Sequence, residues 1–126
     1  MGEPARVLLA EDDRFLRKAA ETALKRQGFT VLPAVDGEEA LRMARAETPD
    51  IVLLDLIMPK LQGFEVLRAL KADPATAKIP VIILSNLGQE SDVKQATEAG
   101  AVGYFVKANL SLQDLVKRVG EVVGGG

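Results

Sequence analysis

Ile51-Val52-Leu53-Leu54-Asp55 sets four consecutive aliphatic residues directly against a carboxylate, and that junction decides how the rest of the chain reads. A short apolar run without alternation suits a strand covered on both faces, as in the interior of a parallel sheet. An acid placed straight after it faces costly burial unless something compensates the charge. Working outward, three more runs share this character: Val7-Leu8-Leu9-Ala10, Val81-Ile82-Ile83-Leu84 and the patchier Val102-Gly103-Tyr104-Phe105-Val106. Thr30-Val31-Leu32-Pro33-Ala34 is a fifth strand, and its proline, which cannot donate to a ladder, assigns it to a sheet edge.

Helical patterns fill the gaps. Phe15, Leu16, Ala19, Ala20, Ala23 and Leu24 form one inward stripe, which Gly28 is placed to end. Asp36 with Glu39 reads as a capping box for a second helix, with Ala40, Leu41 and Ala44 facing inward. Phe64, Leu67 and Leu70 mark a third, ended near Asp73-Pro74. Ser91 to Ala99 makes a more polar fourth, closed by Gly100. Ser111 with Asp114 caps a fifth, whose inner residues are Leu112, Leu115, Val116, Val119 and Val122. Strand and helix thus alternate through five repeats. The expected fold is a single α/β domain, a doubly wound, five-stranded parallel sheet with right-handed crossovers and helices on both faces. Residues 1–5 read as a tail, 6–123 as the domain, and Gly124-Gly125-Gly126 as a tail or linker remnant.

Composition removes several functions. The 126 residues suit one domain with one core. Sixteen basic against eighteen acidic residues give a net charge of −2, so nothing electrostatic favours nucleic acid. With no Cys and no His, disulfides, thiolate metal sites, imidazole bases and phosphohistidine are all excluded. No apolar run approaches the ~20 residues that cross a bilayer, so no membrane contact is expected. Met1-Gly2-Glu3-Pro4 lacks the pattern of a signal peptide, and the expected location is the cytoplasm.

What ends each strand carries the chemistry. The first ends in Glu11-Asp12-Asp13, the third in Asp55, the fourth in Ser85-Asn86 and the fifth in Lys107. Ligands of open parallel sheets bind beyond the carboxyl ends of the strands, where strand order reverses. If strand 1 lies beside strand 3, as the edge position of strand 2 indicates, Glu11, Asp12 and Asp55 meet there. Two carboxylates about 4 Å apart repel by about 4 kcal/mol at an effective dielectric of about 20. Three need a proton, a lysine or a metal, and all-oxygen donors suit a hard ion such as Mg²⁺. Some of these residues have simpler readings. Asp13 can merely cap the first helix, Gly63 can merely permit a tight turn, and Tyr104 can merely pack.

Leu9-Ala10-Glu11-Asp12-Asp13, then Asp55-Leu56-Ile57-Met58-Pro59 with Gly63, then Leu84-Ser85, then Lys107, resembles the receiver domains of two-component signalling, the CheY-like family. The resemblance runs from Val7 to Val123. It implies a flavodoxin-like sheet of order 2-1-3-4-5 and a phosphoacceptor at Asp55. It also implies a Mg²⁺ or Mn²⁺ site made by Asp12 and Asp55 directly, Glu11 through water, and the backbone carbonyl of Ile57. Ser85 would bind the phosphoryl group, Lys107 would pair with Asp55 or its phosphate, and Tyr104 would be an aromatic rotamer switch. The implied partners are a sensor histidine kinase or phosphotransfer protein and a downstream effector protein or missing output domain. These would be read through helix 4, strand 5 and helix 5. The domain would catalyse only its own phosphorylation and dephosphorylation.

The chain departs from the family pattern in three places. Ala108 follows the lysine where the family has proline after a cis peptide. A cis bond there would cost ~2.5–4 kcal/mol, so the bond is either trans with a shifted loop or cis and strained. Asn86 replaces a small residue after the hydroxyl and narrows access for the donor. Ile57 and Leu87 are apolar where the family controls water, which implies slow self-dephosphorylation. The rival readings are a phosphorylation-independent pseudo-receiver, an aspartyl-phosphate phosphatase and a flavin or nucleotide module. The phosphatase would need a second acid at Ile57, and Glu11-Asp12-Asp13 would repel a phosphate-bearing ligand.

Overall fold

Each apolar run becomes a strand and each periodic stretch a helix in a computed structural model that describes residues 3–124. In chain order the strands are β1 (Arg6–Ala10), β2 (Thr30–Ala34), β3 (Ile51–Asp55), β4 (Val81–Ser85) and β5 (Gly103–Val106). The helices are α1 (Arg14–Arg26), α2 (Gly37–Glu47), α3 (Gly63–Ala72), α4 (Glu90–Glu98) and α5 (Leu112–Gly124). All neighbouring strands are parallel, in the order β2-β1-β3-β4-β5. Pro33 lies on the β2 edge as its missing N–H requires. Gly124 ends α5, and Met1, Gly2, Gly125 and Gly126 of the two expected tails lie outside the described residues.

Two cores sandwich the sheet. On one face Leu8, Val52, Leu54 and Ile83 meet Ala40 and Ala44 of α2, Val66, Leu67 and Leu70 of α3, and Ala96 of α4. On the other, Leu9, Leu53, Ile82 and Leu84 meet Ala20 and Leu24 of α1 with Leu115 and Val119 of α5. Every residue of β3 and β4 is buried, the condition their unbroken apolar runs anticipate.

The caps are largely those the sequence indicates. The Asp36 carboxylate accepts from the Glu39 N–H at 2.8 Å, and Glu39 returns a bond to the Val35 N–H at 3.0 Å. Asp13 accepts from Phe15 and Leu16 at the start of α1, and Ser111 accepts from Asp114 in α5. Gly28 ends α1 at a φ of +92°.

Three expectations are corrected. Phe15 is 87% exposed and Ala19 is exposed too. Ala20 and Leu24 set the inward direction of α1, and at 3.6 residues per turn Phe15 and Ala19 fall roughly 100° or more away from it. Helix α4 spans Glu90–Glu98, not Ser91–Ala99, because Asp92 accepts the Gln89 N–H at 3.2 Å and moves the start forward. The stripe expected for α3 holds, with Leu67 and Leu70 in the core and Phe64 packed against it; Val66 joins them, and the Phe64 ring lies 5.7 Å from the Arg68 guanidinium carbon. Gly63 answers a close approach instead of a turn: a Cβ there would lie 2.2 Å from the Asp55 carbonyl oxygen. The described residues contain no cis peptide, so Lys107–Ala108 is trans, and Lys107–Asn109 wind into a 3-10 turn.

Candidate functional site

Register brings the strand ends level. Ala10 lies opposite Leu54, Asp55 opposite Leu84, and Ser85 opposite Val106. Glu11 continues β1 through its N–H to the Ala34 carbonyl at 3.0 Å. Lys107 follows β5 directly. Glu11, Asp12, Asp55, Ser85 and Lys107 therefore gather on one rim, at the point where β1 has β2 on one side and β3 on the other.

Glu11 is 0% exposed, Asp55 is 3% exposed, and Asp12 faces solvent. The Lys107 ammonium bridges the two buried acids. It donates to Asp55 Oδ2 at 2.7 Å and to Glu11 Oε2 at 2.9 Å. It also lies 2.8 Å from Glu11 Oε1, at an angle that makes no hydrogen bond. The Asp13 N–H adds a bond to Glu11 Oε2 at 2.9 Å, and the Ile57 N–H one to Asp55 Oδ1 at 3.1 Å.

Burial pushes the Glu11 carboxyl above its usual value, and the nearby Asp55 charge adds to the effect against the opposing bonds from Lys107 and Asp13. Burial also works against the Lys107 ammonium. Its bonds to Asp55 and Glu11 outweigh that cost and lift its pKa above the ordinary lysine value.

This donor set fits a hard divalent cation. One carboxylate oxygen from each of Glu11, Asp12 and Asp55 lies within 4.8 Å of the others. Glu11 Oε1 is buried and accepts no hydrogen bond, its charge met only by the Lys107 ammonium 2.8 Å away, so it keeps a lone pair for a cation or its water.

Beside the acids, Ser85 is fully buried, and its Oγ accepts from the Leu87 N–H at 3.1 Å. The Tyr104 hydroxyl donates to the Leu87 carbonyl, so strand β5 is tied to the loop that leaves β4. Burial raises the Tyr104 pKa, with the charges of Asp92 and Asp55 adding to it, and the phenol stays protonated at neutral pH. Ile57 is 54% exposed and Asn86 is exposed, both on the same rim. A roomy groove between α1 and α5, floored by Phe29 and Val116, contains no carboxylate and stands apart from this chemistry.

One contributor was not read from the sequence. Arg17 of α1 reaches back to the carbonyls of Glu11 and Asp12 at 2.9 and 3.3 Å. A basic residue one turn beyond a capping aspartate was the available signal.

The model of the response regulator receiver domain matches residues 7–120. The chain belongs to that family. PilH of Pseudomonas aeruginosa is 36% identical to this receiver domain over 121 residues, spanning 96% of the chain and 99% of PilH. A gliding motility regulatory protein of Myxococcus xanthus is 42% identical over 114 residues, which are 90% of the chain but 15% of that protein. Several curated relatives are much longer than this chain, which spans less than half of their length. Among solved structures, the receiver domain of the Francisella response regulator 1452 superposes with a TM-score of 0.90 at 29% identity, covering 96% of this chain and 98% of that one. The flavodoxin-like order of the sheet is thus the family's own. None of the described helices is long and apolar enough to cross a membrane.

Proposed function

We propose that this receiver domain, residues 6–123, is a phosphoacceptor switch in which Asp55 takes a phosphoryl group from a phosphohistidine on a sensor kinase or phosphotransfer protein. The observation that carries this reading is the cluster of Glu11, Asp12 and Asp55 oxygens within 4.8 Å, bridged by Lys107. An Asp55 carboxylate oxygen attacks phosphorus. The O–P bond forms as the P–N bond breaks, and the bonding pair leaves with the imidazole nitrogen. Lys107, already 2.7 Å from Asp55 Oδ2, stays beside the transferred anion. The Ser85 hydroxyl donates to a phosphoryl oxygen. Glu11, Asp12, Asp55 and the Ile57 carbonyl would hold Mg²⁺ or Mn²⁺, Glu11 through water, and the bound ion supplies positive charge against the phosphoryl oxygens.

The new charge draws Ser85 and, through the Leu87 carbonyl, Tyr104 toward one arrangement of the β4–α4 loop. The signal leaves through α4, β5 and α5 to an effector protein or to an output domain beyond this chain. Such a switch works in the cytoplasm and turns over no separate substrate. Ile57 and Leu87 present apolar surface where water would approach the acyl phosphate, so self-dephosphorylation is slow. Loss of phosphate within seconds of donor removal overturns that last point.

The test is intact mass after incubation with a small acyl phosphate and Mg²⁺. The parent gains one phosphoryl group, and Asp55→Asn gains none. Equal incorporation by both proteins, or incorporation indifferent to chelation, overturns the assignment. A folded parent that never incorporates phosphate is instead a phosphorylation-independent interaction module.

A further inference from the structure

Lys107 sits on the carboxylate oxygens that a cation would use, whereas Arg17 engages the same loop without touching them. Its Nη1 donates to the carbonyls of Glu11 at 2.9 Å and Asp12 at 3.3 Å, the two consecutive residues at which the chain turns from β1 toward α1. Among the described residues Arg17 forms no ion pair with any carboxylate. With the Glu11 N–H held by Ala34 and the Asp13 N–H held by Glu11 Oε2, the loop is fixed at three successive residues. Glu11 is fully buried and the Lys107 ammonium lies 2.8 Å from its Oε1, the one carboxylate oxygen of that residue that accepts no hydrogen bond and that a bound cation or its water could take over from the lysine.

We propose that Arg17 is a positioning residue that holds the Glu11–Asp13 loop in the shape Mg²⁺ demands, and so sets the preference of the carboxylate cluster for Mg²⁺ over Ca²⁺. The inference rests on the cation reading given above. Mg²⁺ requires near-ideal octahedral geometry at about 2.0–2.1 Å, whereas Ca²⁺ accepts about six to eight oxygens at about 2.3–2.6 Å in flexible arrangements. Slack in the loop therefore penalises Mg²⁺ and leaves Ca²⁺ nearly indifferent. Loss of the guanidinium charge acts differently, because it shifts both divalent ions alike.

The experiment titrates the full chain with MgCl2 and separately with CaCl2 by calorimetry, with thermal melts alongside. Arg17→Met weakens Mg²⁺ binding about tenfold, the scale at which groups that orient metal ligands act, while the Ca²⁺ affinity moves far less. Equal shifts for the two ions, tighter Mg²⁺ binding or no shift overturns the proposal. Arg17→Lys, with a shorter stem and one ammonium, gives a Mg²⁺/Ca²⁺ ratio between those of the parent and Arg17→Met. A ratio equal to either overturns the hydrogen-bond basis, and should Arg17→Met fail to fold, Arg17→Lys against the parent decides. If the parent binds neither ion, or Asp12→Asn binds Mg²⁺ as the parent does, the cation reading itself fails, whatever Arg17 does.

Discussion

The centre of the sheet and its edges divide the labour of the site unequally. Strands β3 and β4 are buried at every residue and end in Asp55 and Ser85. Strand β5 is half-buried throughout, runs into the 3-10 turn of Lys107–Asn109 and carries Tyr104. Strand β2, at the other edge, holds no site side chain, yet its last carbonyl, Ala34, fastens Glu11. Asp55 and Ser85 are thereby set in the close-packed interior, whereas Tyr104 and Lys107 sit on the half-buried edge, where less packing is lost by moving. Depth of packing is thus graded by strand position in one sheet.

The sharpest way to break this comparison is by truncation. Leu54→Ala removes a fully buried side chain from the centre and costs about 2–5 kcal/mol, and Phe105→Ala at the half-buried edge costs about 1–2 kcal/mol, below the figure for a fully buried ring. Equal losses in urea denaturation would erase the distinction. Next in size is Lys107→Met, which leaves two buried acids without their cation and costs about 1–3 kcal/mol in metal-free buffer. Saturating Mg²⁺ recovers most of that loss in a thermal melt, since a ligand that binds only the folded state stabilises it.

A smaller effect follows from titrating the edge. The folded Lys107 pKa lies above 10.5, so its contribution is fully present below pH 10.5 and is lost as pH rises through the folded value. Alkaline melts of the parent therefore fall toward those of Lys107→Met. The smallest effect belongs to the β2 edge. The Glu39 N–H holds the Asp36 carboxyl below 3.8, so its capping contribution is present above pH 3.8 and disappears as pH falls through the folded value. The stability gap between the parent and Asp36→Ala narrows over that interval, and a gap that persists in acid would contradict it.

Residues whose surroundings lie along their own strand or turn were legible in the sequence. Pro33 named an edge, Asp36 with Glu39 named a helix start, and Asp55 after Ile51–Leu54 named a strand end at the site. Residues whose role is set by a distant neighbour were not. Phe15 and Leu16 both extend an apolar stripe, and only the docking of α1 through Ala20 and Leu24 decides which of them faces solvent. Whether the Lys107–Ala108 bond is cis or trans could not be read without the loop that carries it. Arg17 looks like an ordinary surface residue of α1 until the β1–α1 loop folds back beneath its guanidinium.

The close approach at Gly63 has a mechanical consequence. The first residue of α3 rests on the main chain of Asp55 with no room for even a methyl group, and its N–H is bonded to the Leu56 carbonyl at 2.9 Å. Such a joint has no slack. A tilt of α3 toward the sheet is delivered as displacement of the very backbone that carries the Asp55 carboxylate, so a molecule that grips α3 gains leverage over that acid from outside the rim.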